Sequence, residues 1–382
     1  MTPEGLARAA PRDRRVARAA LPLLLLAAAV SPAGAGDPAP ASSSVSSLDR
    51  ARRDAIAKGC AFLKAAQRLG GDFGDDKGVV AITSLSTLAL MSDGSGIGRG
   101  PHGKEIEKGV EFLLRLVETS EPDGYFHYRD DGASKMHGHG YATLALASAL
   151  GSAKTETAER IRAVLRRAVA CAEGSQTGTG GWGYDPNPAG EHEGSVTVTI
   201  AQPLRAARDA GILVSGDVVK RGLAYLRRSQ RLGTRGREED GSFKYSLTMD
   251  RSSYALTAAA LSSFFLFGEY ADPKDPQQRI PRAVGYLLRE MRPADHRTDW
   301  YFYGHFYAAW AAWQLDGDGR SDPGALWATW QRTVLPDLLA EQRTDGSWFD
   351  HTDKLEFGYV LPTAFAVLTL AIPDEQIPIF QR

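Results

Sequence analysis

An all-α fold, a closed (α/α)6 toroid of six helical hairpins, is predicted by three features of this 382-residue chain. A motif recurs at a spacing of about 50 to 60 residues, the length of one supersecondary unit. Each copy joins a charged amphipathic segment to a far more apolar one. Strand signals are weak throughout. Composition agrees with a packed domain: 43% hydrophobic and 24% charged residues exclude a disordered or fibrous chain. A net charge of −1 leaves no footprint for nucleic acid. Two cysteines exclude a disulfide framework or a cysteine-rich zinc module.

The first 35 residues are an address. Arg12, Arg14, Arg15 and Arg18 form a basic region, residues 19–30 an apolar run, and Ala33-Gly34-Ala35 a small-residue cleavage site. The run is short of the roughly 20 residues a membrane span needs, so a signal peptide and export to the periplasm or exterior are expected, with an uncleaved anchor through the strongly apolar Leu23–Leu26 as the alternative. Residues 36–47, rich in Gly, Pro, Ala and Ser, predict a flexible linker. The toroid then covers 48–382.

Within it, Lys58-Gly59-x-x-Phe62-Leu63-x-x-x-Gln67-x-x-x-Gly71-x-Phe73 is the clearest copy of the motif. Arg221-Gly222-x-x-Tyr225-Leu226-x-x-x-Gln230 repeats its first half, and Gly241-Ser242-Phe243 its end. Gln176-x-x-x-Gly180-x-Trp182 and Gln342-x-x-x-Gly346-x-Trp348 repeat the second half, and 108–113 and 282–287 the first. The charged segments, such as 54–67 and 218–229, predict outer helices. The apolar segments 79–91, 141–150, 195–210, 253–267, 303–315 and 359–371 predict inner helices buried on most sides. Residues 196–200, Val-Thr-Val-Thr-Ile, have strand propensity but occupy an inner-helix position, so a helix is expected. The Gly supplies a sharp turn, the aromatic ring packs between units, and the Gln is expected to bond backbone groups freed at the end of the outer helix. Cys60 and Cys171 fall on outer helices among apolar neighbours, as packing residues.

These runs resemble the Gln–Trp repeat of squalene–hopene and oxidosqualene cyclases, whose toroid is shared by protein prenyltransferase β subunits. The segments Met136-His-Gly-His-Gly-Tyr-Ala142, Ser195-Val-Thr-Val-Thr199, Tyr301-Phe-Tyr-Gly-His-Phe-Tyr307 and Ile377-Pro-Ile-Phe-Gln-Arg382 resemble a group of secreted, single-toroid prenyltransferase/squalene-oxidase-repeat proteins. The resemblance implies a terpenoid-cyclase-like protein with a central pocket for an apolar, isoprenoid-like molecule. Class II cyclases protonate an alkene with the middle Asp of an Asp-x-Asp-Asp run that opens an inner helix after a Gly-Trp turn. Here Gly181-Trp182 is followed by Glu191-His192-Glu193-Gly194, which puts Glu193 at the acid's place. The Asp-x-Cys zinc motif of the prenyltransferases is absent from the sequence.

Inner helices of a toroid all begin at one end, so their amide donors and positive dipole ends gather at one mouth. That level holds His137, His139 and Tyr141; Glu191, His192 and Glu193; Asp250 and Arg251; Asp299, Tyr301, Tyr303 and His305; and His351, Asp353 and Glu356. Glu193 is the expected proton donor, with Glu191, His192 and Asp299 as the other candidate catalytic residues and His305 a further candidate to tune the donor. Candidate ligand-binding residues are His137, His139, Tyr141, Tyr303, His305, Tyr307, Trp310 and Tyr359. Tyr303, Tyr307 and Trp310 share a helix face with the spacing of a cavity wall or a packed core. A metal site on His137-x-His139 with His305 or Glu193 is disfavoured, because no His-x-x-x-His pair exists; no cofactor is expected. Two readings stand beside the cyclase-like one: a non-catalytic binding or scaffold toroid, and a carbohydrate hydrolase or lyase using paired carboxylates such as Glu193 and Asp299. The basic runs 160–167 and 227–237 are solvated faces, with lipid headgroups as the second reading.

Overall fold

The computed structural model describes residues 47–381 apart from 75–76, 119, 121, 130, 234–239, 271, 273, 292–298, 319–323 and 352–356. The expected leader, nearly all of the linker, Asp353 and Glu356 lie outside the described residues.

Among the described residues thirteen α-helices follow in chain order: α1 (Ser47–Ala66), α2 (Val79–Ala89), α3 (Gly103–Glu118), α4 (Lys135–Ala149), α5 (Thr155–Gly174), α6 (Gly194–Asp209), α7 (Gly216–Ser229), α8 (Tyr254–Leu266), α9 (Arg279–Glu290), α10 (Tyr301–Asp318), α11 (Gly324–Thr333), α12 (Leu335–Ala340) and α13 (Val360–Ala371). Among the described residues there is no β-sheet, only isolated bridges.

The apolar segments make the inner ring. α2, α4, α6, α8, α10 and α13 pack each on the next, and α13 packs back on α2. Every residue of α8 is buried, as a helix apolar all round must be. The outer helices are amphipathic; α7 buries Val218, Gly222, Tyr225, Leu226 and Ser229 and ends on Arg227 and Arg228. The sixth outer helix is broken, with Val334 between α11 and α12 and Pro336 in the first turn of α12. The pairing differs in one respect from the hairpin expected. Each outer helix leans chiefly on the inner helix before it in sequence, α3 on α2, α5 on α4 and onward, and α1, the first described helix, packs on α13, the last α-helix. First and last elements therefore lock together. The strand-prone 196–200 segment is helical, within α6, where Val196, Val198 and Ile200 are fully buried and packing outweighs local propensity.

The repeated motif fastens this ring, although its Gln reaches a different target from the one expected. Gln176 Nε2 donates to Gly180 O in its own turn and to Val218 O in the first turn of the next outer helix, both at 2.9 Å. Gln67 and Gln230 do the same to Glu105 and Arg279, and Gln342 bonds Gly346 O in its own turn and Ala55 O midway along α1. Gly180 has φ +88°, and a Cβ there would lie 2.4 Å from Arg221 O, so the turn also requires a bare backbone. The aromatic residue's amide is bonded by an inner-helix threonine: Trp182 to Thr197 (3.0 Å), Phe73 to Thr83 (2.9 Å), Phe243 to Thr257 (3.1 Å) and Trp348 to Thr363 (3.0 Å).

A hydroxyl-lined mouth around Glu193

The threonine staple sets a common register for all six inner helices. Its equivalents are Thr83, His139, Thr197, Thr257, His305 and Thr363. Two residues earlier, turned to the ring axis, come Ala81, His137, Ser195, Ala255, Tyr303 and Leu361. One turn deeper lie Leu85, Tyr141, Thr199, Ala259, Tyr307 and Phe365, and below them Leu88, Leu144, Gln202, Ser262, Trp310 and Leu368. Ring contacts confirm the facing for α4, α10 and α13: Phe365 meets Tyr141 at 6.3 Å and Tyr303 at 6.0 Å, and Tyr303 meets Tyr307 at 4.7 Å.

This register explains two of the alternating motifs. In α4, His137 and Tyr141 face the axis, Gly138 admits Val80 of α2, His139 points to the outer shell and Gly140 admits Thr199 of α6. In α10, Tyr303 and Tyr307 face the axis, while Gly304 admits Ala255 of α8. α4 begins six residues before the expected 141–150 segment, so both its histidines lie on the helix. They serve different surfaces. His139 takes the threonine's place: its Nδ1 faces Phe126 N at 3.5 Å and its Nε2 faces Ala168 O at 3.1 Å. His305 packs on Tyr301 at 4.5 Å and Tyr254 at 5.2 Å. Burial drives both imidazoles down, His139 to about 4 and His305 to about 3.

His137 instead joins Glu193. Glu193 is the N-cap of α6 and is 4% exposed. Its Oε2 accepts from Val196 N at 2.9 Å and from Ser195 Oγ. Since Ser195 donates there, the 3.0 Å bond between His137 and Ser195 runs from His137 Nε2–H to Ser195 Oγ. Glu193 Oε1 has no hydrogen-bond partner. Burial raises the carboxyl's pKa, against the pull of the Ser195 hydroxyl, the Val196 and Ser195 amides and the nearby Tyr245 hydroxyl. Burial also lowers His137 to about 4, so the imidazole is neutral. Over this cluster lie Tyr184, whose ring is 5.7 Å from His137, and Tyr245, whose hydroxyl is 2.5 Å from that of Tyr184. Beneath it, the Tyr303 hydroxyl is buried without a hydrogen-bond partner, and the Tyr141 and Tyr307 hydroxyls are 3.4 Å apart.

Of the other candidates, Glu191 is exposed. His192 turns to the outer shell, where its Nδ1 meets Tyr225 OH at 3.0 Å. Asp299 pairs with Arg251 at 3.4 Å, partly exposed. Tyr359 is 41% exposed before α13, beneath the Arg343 guanidinium. Trp310 is buried deep in the ring beside Phe306 and Phe380. Ser195, Thr199, Tyr184 and Tyr245 were not among the residues expected. The first two were accessible from the four-residue spacing that sets them on one face of α6; the other two sit in loops without periodicity. Among the described residues no group of three His, Cys, Asp or Glu side chains is placed to hold a metal ion. No described helix is long and apolar enough to cross a membrane.

No family model and no curated protein sequence matches the chain. Solved structures do. Structures of the type II terpene cyclase MstE from Scytonema cover 87% of this chain and 99% of their own; one, with its product merosterolic acid A, has 19% identity and a TM-score of 0.54, and another, with its substrate geranylgeranyl dihydroxybenzoate, 20% and 0.51. A D-mannose isomerase matches over 86% of this chain and 98% of its own, with 12% identity and a TM-score of 0.58. The GH76A α-1,6-mannanase from Salegentibacter sp. HEL1_6 matches over 87% and 100%, with 10% identity and a TM-score of 0.57. The chain thus has the α/α toroid fold of terpene cyclases and of these sugar-active enzymes.

Proposed function

We propose that this is an exported toroid enzyme that takes an apolar, isoprenoid-like molecule into its lumen and starts isomerisation or cyclisation by protonating a carbon–carbon double bond with Glu193. The observation that carries the reading is a buried, half-satisfied carboxyl at the axis-facing start of α6, set above aromatic rings. Burial keeps the acid protonated to higher pH than a free glutamate. As the proton leaves Oε1, a C–H bond forms at one alkene carbon and positive charge develops at the other. The carboxylate left behind is held by Val196 N–H, the Ser195 hydroxyl and the positive end of α6. The faces of Tyr303, Tyr307, Tyr141 and Phe365 stabilise the cation until a proton is lost from carbon and returned to the carboxylate. A cyclase of the same fold holds a geranylgeranyl-bearing substrate, which supports an apolar ligand of this class. Export rests on the basic and apolar segments of residues 1–35, and it puts membrane-dissolved lipids within reach.

The test is incubation in D2O with linear polyprenyl alcohols and hydrocarbons, followed by mass spectrometry of recovered lipids. Deuterium gain on carbon is expected, with a loss of roughly 100-fold in Glu193→Gln. Turnover unaffected by that change would overturn the reading. The packing of Phe306, Tyr307, Trp310 and Phe365 in the ring favours a second reading, ligand binding without turnover. Bound lipid without deuterium gain would establish it.

A further inference from the structure

The floor of the ring is closed by the chain's own end. After α13 the backbone turns and crosses beneath the ring, and the 3₁₀ turn Pro378–Phe380 lies against α6, on the side of the ring opposite α13. Phe380 is fully buried, 5.6 Å from Trp310 and 6.1 Å from Phe306. This turn holds itself: Phe380 N bonds Ile377 O, and Gln381 N bonds Pro378 O. Above it the deepest axial layer carries three polar side chains, of which Ser262 bonds Ala259 O at 2.8 Å and the other two, Gln202 and Trp310, are unbonded. Gln202 of α6 is 0% exposed and Trp310 of α10 is 1% exposed. Gln202 Nε2, Gln202 Oε1 and Trp310 Nε1 all lack a hydrogen-bond partner. Buried polar atoms are nearly always bonded, so three in one axial layer are out of balance with the apolar tail that covers them.

We infer that Pro378–Phe380 is a removable floor, and that beneath the reactive mouth Gln202 and Trp310 form a second recognition point for the polar end of an elongated amphiphile. Two donors and one acceptor match a hydroxyl or carbonyl group, which the Gln amide and the indole N–H engage together. The ligand's polar end then rests at the floor and its apolar end points up the axis toward Glu193. Insertion displaces Phe380 from Trp310 and satisfies the atoms that the tail leaves bare. This inference rests on the proposed occupancy of the lumen by an apolar ligand, but it is read by binding rather than turnover. An inactive Glu193→Gln that still binds, or an absence of deuterium gain, leaves it untouched.

The probes are geranylgeraniol and the hydrocarbon of the same skeleton without the hydroxyl, with affinity read from tryptophan fluorescence. Phe380→Ala, in the full chain, is expected to bind both about tenfold more tightly than the unaltered protein. In that background Gln202→Leu is expected to weaken the alcohol about tenfold and leave the hydrocarbon unchanged. Equal effects on both probes, or none, overturn polar recognition at Gln202. The unaltered chain provides a check that needs no variant to fold. On adding geranylgeraniol, hydrogen exchange at the Phe380 and Gln381 amides is expected to speed up at least tenfold while α13 stays protected. Unchanged or slowed exchange there, or no binding of either probe, overturns the removable floor.

Discussion

At the scale of single residues, Ser195 opposes the burial that makes Glu193 a weaker acid. Its hydroxyl donates to Glu193 Oε2 and in turn accepts from His137. A hydrogen bond to the charged form lowers a carboxyl's pKa, while burial here raises it and prevails. Ser195→Ala removes the largest of the opposing contributions and leaves the backbone amides of residues 195 and 196 and the Tyr245 hydroxyl. The pH at which Glu193 deprotonates is therefore expected to move up from its already raised position. Isotope-edited infrared titration of the carboxyl stretch measures this directly, with Glu193→Gln identifying the band. Activity that depends on the protonated acid falls as pH rises through the same midpoint. A Ser195→Ala midpoint that is unmoved or lowered would show that the serine does not bond the carboxylate in solution. Both cysteines stand outside this chemistry: burial pushes the Cys60 thiol up to about 12 and the Cys171 thiol up to about 11.

At the scale of elements, the repeat was legible in the sequence because its fastenings are chemical necessities. A glycine beside a carbonyl, an aromatic ring between shells and a glutamine between two loops leave marks at fixed spacing. The face of each inner helix was not legible, since α4 and α8 are apolar or small-residued all round and carry almost no periodic signal. His139 and His305 were accordingly expected at the mouth, whereas the staple register gives them the threonine's place. That role has a consequence for stability. His139 is neutral in the folded chain because its pKa falls from 6.5 to about 4. Its contribution is present above 6.5 and is lost as pH falls toward 4, because the unfolded chain binds the proton first. His139→Thr restores the residue of four other repeats and removes that proton uptake. The variant is expected to flatten the loss of stability between pH 6.5 and 4 by on the order of 3 kcal/mol, whatever its stability at neutral pH. Urea melts across this range decide it; an unchanged pH slope would show that His139 is not held neutral.

At the scale of the whole molecule, closure separates this ring from an open array of the same hairpins. An open array has two exposed ends and frays from each, whereas a closed one has none. The seam here joins α1 to α13. Arg52, 7% exposed, donates to Leu370 O at 2.6 Å and to both oxygens of Asp374 at 2.7 and 2.8 Å, and Asp49 pairs with the same guanidinium at 2.7 Å. Gln342 bonds Ala55 O across the seam at 2.9 Å, and a side chain at Gly346, φ +90°, would strike Lys58 O. The same seam leads into the 3₁₀ turn Pro378–Phe380, since Asp374 stands just before it in sequence. Arg52→Met keeps the apolar stem but leaves Asp374 with only the exposed Arg53 guanidinium, at 3.7 Å, and Leu370 O without that donor. The cost is expected to be on the order of 2 to 3 kcal/mol, because both acids keep some access to water. The distribution of that cost is the sharper test. If the ring folds as one closed unit, the urea transition of the variant shifts to lower concentration and stays single, and hydrogen exchange speeds up by a similar factor in α2, α6 and α10 as at the seam. If the hairpins behave as a linear array, exchange rises in α1 and α13 alone and α6, opposite the seam, keeps its protection. The second pattern would refute cooperative closure.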